Sequence, residues 1–111
     1  MEMDLYQELQ SKTKELDKCI RGLRVNGTAY AKAEKDYKIL LRTECLRLRN
    51  EEDMPIGLID KTCYGIPAVA EARFQRDVAE AVYKANQEAI QSIKLQMRLI
   101  ESQLSREWGN S

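Results

Sequence analysis

Leu16-Asp-Lys-Cys-Ile-Arg-Gly-Leu23-Arg-Val-Asn26-Gly27-Thr-Ala-Tyr30 is the stretch whose reading decides the fold. Asn-Gly is a local turn signal, and glycine costs about 1 kcal/mol in a helix interior. Yet Leu16, Leu23 and Tyr30 stand seven residues apart, and the same phase runs back to Leu9 and on to Tyr37. Apolar residues recurring every seven positions keep one helical face turned toward a partner helix. A loop at Asn26-Gly27 would destroy that phase, so the spacing predicts one helix, straight or kinked, over about residues 4–51. A break there, giving a three-helix bundle, is the competing model.

Tyr83, Ile90, Met97 and Leu104 form a second seam, predicting a helix from about residue 67 to 108. Gly109-Asn-Ser ends it. Pro55, Gly57, Gly65 and Pro67 punctuate the segment between, a tip over about residues 52–66. Asp53 as a cap, Pro55 in a first turn and Gly65 as a stop predict a short helix there, about 55–63. The expected fold is all-α: a single domain over residues 1–111, folded as a long antiparallel, coiled-coil-like helical hairpin with a short helix at its tip. Three seam positions are polar: Glu44, Arg76 and Asn86. Polar groups at core positions set register rather than add stability. A hairpin centred near residues 58–60 places Glu44 opposite Arg76 as an ion pair.

The apolar stripe is wider than a two-helix seam requires. Ile20, Leu41 and Leu48 lie beside it on the first arm, and Val69, Val78, Val82, Leu95 and Leu99 on the second. Such a width suits more than two helices. Ile20, Leu41, Leu48, Val78, Val82, Leu95 and Leu99 are therefore the candidate oligomer seam of a homodimeric four-helix core, C2 dimers being the commonest oligomers. A heteromeric partner covering the same surface is the alternative.

Charged residues make up 32% of the 111 and aromatics 6%, which suits long solvated helices better than a thick core. Net charge is zero but unevenly placed: residues 12–49 carry eleven Lys/Arg against five Asp/Glu, while Glu51, Glu52, Asp53 and Asp60 face only Lys61 at the tip. The start lacks a signal-peptide apolar region, and no run reaches the roughly 20 apolar residues of a membrane span. Cys19, Cys45 and Cys63 resemble neither a disulfide framework nor a metal knuckle, so the expected location is the cytoplasm.

Histidine is absent, which removes Ser-His-Asp and Cys-His nucleophile pairs and HExxH zinc sites. No glycine-rich phosphate loop occurs. Asp77-x-x-Glu80, Glu71, Glu88 and the tip trio are the only carboxylate groups for a Mg²⁺ site, and the paired ExxE and ExxD set of helical pyrophosphohydrolases is missing. No enzyme, cofactor or metal is expected. Lys35, Lys38, Arg42 and Arg49 form a candidate nucleic-acid face on the first helix, set against a pI near 6.3. The tip, acidic and irregular, supplies a candidate partner surface of Glu51, Glu52, Asp53, Ile56, Leu58 and Tyr64.

Met3-Asp-Leu-Tyr-Gln-Glu-Leu, Met54-Pro-Ile-Gly-Leu-Ile, Ala70-Glu-Ala-Arg-Phe-Gln-Arg-Asp-Val-Ala-Glu-Ala and Arg106-Glu-Trp-Gly give the chain its resemblance to small helical-hairpin proteins of phages and prophages of Gram-positive bacteria. These stretches span most of the chain and carry no active-site signature. The resemblance implies a genomic setting in which such proteins serve as replication or recombination accessories, or block host defence by binding a nuclease or effector. The expected function is thus a non-enzymatic, phage-type accessory acting on a macromolecular partner, a protein first, with nucleic-acid binding as the alternative.

Overall fold

The structure, a computed structural model, describes residues 2–109. They form three helices and no strand: α1 (Glu2–Asn50), α2 (Ile56–Cys63) and α3 (Pro67–Gly109). The hairpin expected from the two seams is the observed fold, and its helix boundaries agree within about two residues. Asn110 and Ser111, placed after the last helix by the sequence, lie outside the described residues. α1 runs unbroken through Asn26-Gly27, and no described glycine takes a positive φ. The turn propensity of Asn-Gly loses here because a long helix lying on a partner gains from each seam residue, whereas the glycine penalty is local.

Contacts group the chain into two compact units, Met1–Val25 with Tyr83–Ser111, and Asn26–Val82. In the first unit, Leu5, Leu9, Lys12, Leu16, Cys19 and Leu23 turn inward on α1. Tyr83, Asn86, Ile90, Ile93, Met97, Ile100 and Leu104 turn inward on α3. Intervals of three and four alternate in both series, giving two seam positions per heptad, the spacing of knobs-into-holes packing. Ile90, Ile93 and Ile100 are the buried residues of this unit. Asn86, polar at a seam position, donates from Nδ2 to the Cys19 carbonyl at 2.9 Å, so its amide is not left unsatisfied.

The second unit contains the tip. Tyr37, buried at 6% exposure, lies under the Arg76 guanidinium, 4.7 Å from ring centroid to cation. Arg76 also bonds Asp77 at 2.9–3.0 Å. Glu44 instead pairs with Arg47 at 2.7 Å. The expected Glu44–Arg76 ion pair does not form, because Arg76 faces Tyr37, one heptad earlier on α1. The reason lies in α2. Its Ile59 and Cys63 pack with Leu48, Leu41 and Cys45, so the last turns of α1 are shared with the short helix and the α1–α3 register is offset from a symmetric hairpin. Farther from the tip, the Tyr30 hydroxyl bonds Glu80; burial first and that bond second hold the phenol above its ordinary pKa.

Ile93→Ala is expected to lower stability by about 2–3 kcal/mol, since a buried seam side chain leaves a cavity. Asn86→Leu should instead raise the melting temperature, a seam asparagine trading stability for register. Circular-dichroism melts of both variants check this; a lower Tm for Asn86→Leu would make the amide bond a net stabiliser.

Candidate protein-binding tip

The tip begins where α1 stops. Glu51 N–H still donates to the Arg47 carbonyl at 2.8 Å, and Met54 N–H closes the turn on the Leu48 carbonyl at 3.1 Å. Between them Asp53 takes a left-handed conformation, φ 49°, a region that aspartate tolerates better than most residues. Asp53 therefore makes the turn and does not cap α2, as the sequence had suggested. The N-cap is Pro55 (φ −58°, ψ 140°), and no side chain bonds the first turn. The reversal at Asp53 places the capping position two residues later. Gly65 has no positive φ; its N–H donates to the Thr62 carbonyl at 3.1 Å after Tyr64 ends α2 in a right-handed conformation.

α2 is amphipathic in an unusual sense, since both of its faces carry apolar residues. Ile59 and Cys63 point inward, while Ile56 and Leu58 are 69% and 50% exposed. Tyr64, 45% exposed, lies beneath Arg73, whose cation sits 5.6 Å from the ring centroid. Two arginines brace the surrounding turn. Arg47 spans Glu44 and Glu52, at 2.7 and 3.5 Å. The Glu44 hydrogen bond, more than its charge, holds Arg47 above its ordinary pKa. Arg49 donates to the Met54 carbonyl at 3.2 Å. Glu52 is thus partly neutralised, whereas Glu51, Asp53 and Asp60 are exposed without an ion pair among the described residues. The six tip residues singled out in the sequence lie along one short stretch; Ile56 and Leu58, two positions apart on α2, are exposed on different sides of the helix, with Asp60 one turn from Ile56 and Lys61 one turn from Leu58.

The other candidate surfaces divide. Lys35, Arg42 and Arg49 recur every seven residues along the outer side of α1, with Lys38 beside them. Lys38 is tied to Glu34 at 3.4 Å and Arg49 hydrogen-bonds the Met54 carbonyl, which leaves Lys35 and Arg42 as the cations there with neither an ion pair nor a hydrogen bond among the described residues. Within the candidate oligomer seam, Leu48 is 4% exposed and Leu41 packs beside it, so these two are occupied inside the tip core. Ile20, Leu95 and Leu99 are exposed in the first unit, and Val78 and Val82 in the second. Among the carboxylates considered for a metal, Asp77 is engaged with Arg76, Glu71 with Gln75 and Glu80 with Tyr30. No cluster of three or more acidic, cysteine or histidine ligands occurs among the described residues. None of the helices is long and apolar enough to cross a membrane.

Two features escaped the sequence reading. Tyr6 and Trp108, both exposed, line a shallow apolar notch with Leu104 and Ser105 in the first unit. Cys45 and Cys63 meet in the tip core, although 18 positions separate them. No protein-family model, curated protein or solved structure matches the chain.

Asp53→Val is expected to lower stability by about 1–2 kcal/mol, because a β-branched residue is strained at positive φ. Asp53→Gly should show no such loss. Urea denaturation of the two variants distinguishes a strained turn from a merely charged one.

Proposed function

We propose that this chain is a non-enzymatic accessory protein of phage type that acts by binding a protein partner through the tip. The observation that carries the reading is the outward apolar pair of α2. A short helix whose inner residues already complete the core leaves Ile56 and Leu58 in water, with Tyr64 also exposed at its end. Small exposed apolar groups ringed by charge are the anatomy of a protein-recognition patch. Glu51, Asp53 and Asp60 favour a partner surface with positive charge at its rim, and such a rim acts chiefly on association rate and specificity. The setting is a bacterial cytoplasm, with host-defence and replication proteins as the partner classes. A homodimer covering Leu95 and Leu99 or Val78 and Val82 belongs to the same reading.

A lysate pull-down compares the wild-type chain with Leu58→Lys/Glu51→Lys. The wild type is expected to retain a defined partner that the variant loses by at least about tenfold, at unchanged helicity. An identical set of captured proteins from both would overturn the tip as the binding surface.

A second reading rests on the ridge of Lys35, Arg42 and Arg49. Three or four phosphate contacts along it predict affinity for DNA falling about 40- to 150-fold between 50 and 200 mM salt. A mobility-shift titration checks it: Lys35→Glu/Arg42→Glu should abolish the shift, and no shift at micromolar wild-type protein removes the reading.

A further inference from the structure

The three cysteines are not equivalent. Cys19 lies in the first unit, half-buried on α1. Cys45 and Cys63 lie in the second, on different helices, within one apolar cluster. Cys63 is 1% exposed and packs with Leu48 and Ile59, and Cys45 packs against the same group from α1. The two thiols are near enough to interact, and the Cys63 Sγ also lies 3.8 Å from the Asp60 carbonyl. Packing in one cluster places the two thiols within reach of each other, and a disulfide holds its sulfurs about 2 Å apart.

We infer that Cys45 and Cys63 form a dithiol modification site that closes to a disulfide with a low-molecular-weight disulfide such as oxidised glutathione, clamping α2 to α1. Cys45, the less buried of the two, loses its proton and attacks one sulfur of the reagent. A mixed disulfide forms and one small thiol leaves. The Cys63 thiolate then attacks the Cys45 sulfur, the S–S bond of the mixed disulfide breaks, and the second small thiol leaves. Two protein thiols are oxidised, one small disulfide is reduced to two thiols, and both protons pass to the departing sulfurs. Burial, and after it the bond to Cys63, holds the Cys45 thiol above its ordinary pKa, so the first attack is slow at neutral pH and the pair stays reduced in a reducing compartment.

The clamp acts on the element that depends most on it. α2 has eight residues and no side-chain cap, and short helices hold only through tertiary packing. A bond from Cys45 to Cys63 encloses the Asp53 turn and most of α2 in one loop, removing freedom from the unfolded chain. It also orders the helix that presents Ile56 and Leu58, although the thiol chemistry does not depend on what binds there.

The full chain is incubated with oxidised glutathione at pH 8, then unfolded and alkylated. The expected product is a monomer lighter by about 2 Da before alkylation, with one alkylated thiol in place of three, a Cys45–Cys63 cross-linked peptide, and a Tm raised by about 10 °C. Cys45→Ala and Cys63→Ala should each abolish this product and the Tm rise, while Cys19→Ala keeps both. Three alkylated thiols, a mixed disulfide that does not resolve, or a cross-link involving Cys19 would overturn the assignment.

Discussion

Everything in this protein depends on a repeat: two inward positions in every seven residues along each long helix. Within each unit that alternation turns one face of α1 and one face of α3 toward each other, and α1 runs as one helix through Asn26-Gly27. A two-helix seam is narrow, so few residues are truly buried: Ile90, Ile93 and Ile100 in one unit, and Tyr37, Leu48, Ile59, Cys63 and Val69 in the other. Half-buried leucines and Met97 close much of the seam elsewhere, together with small or amphipathic side chains such as Ala33, Ala72, Lys12 and Arg76. Lys and Arg serve there because their aliphatic stems cover apolar surface while the charge reaches water.

Much of this architecture was legible from residue spacing. Helix type, number and order follow from the two seven-residue series and from Pro55, Gly65 and Pro67 between them. The second row of the α1 seam was not legible, because Lys12, Cys19, Asn26, Ala33 and Arg47 do not announce themselves as interior residues. Register was misjudged for a related reason. Counting outward from the middle of the punctuated segment treats α2 as a symmetric cap, whereas it lies against Leu41, Cys45 and Leu48. That placement also explains why part of the wide stripe is covered within the chain while Leu95 and Leu99 remain in water.

The tip shows what spacing cannot carry. Its acidic composition and its exposed Ile56 and Leu58 were visible as a region, but the reversal at Asp53, the bracing of Glu52 by Arg47 and the meeting of Cys45 with Cys63 are long-range or conformational facts. A cysteine pair 18 positions apart gives no periodic signal. It becomes a pair only because a short helix folds back onto the end of a long one. Core, turn and presented surface are therefore built from the same few residues, and a change in one is felt by the others.

The bond from Asn86 to Cys19 has an evolutionary side. Its donor is a side chain, but its acceptor is a backbone carbonyl, which every amino acid supplies. The information that aligns the helices at this level is therefore written at a single codon. Position 19 is free to drift among residues that fit the space, while position 86 is not. Divergent versions of this hairpin should keep an amide at that site long after the facing helix has changed its composition.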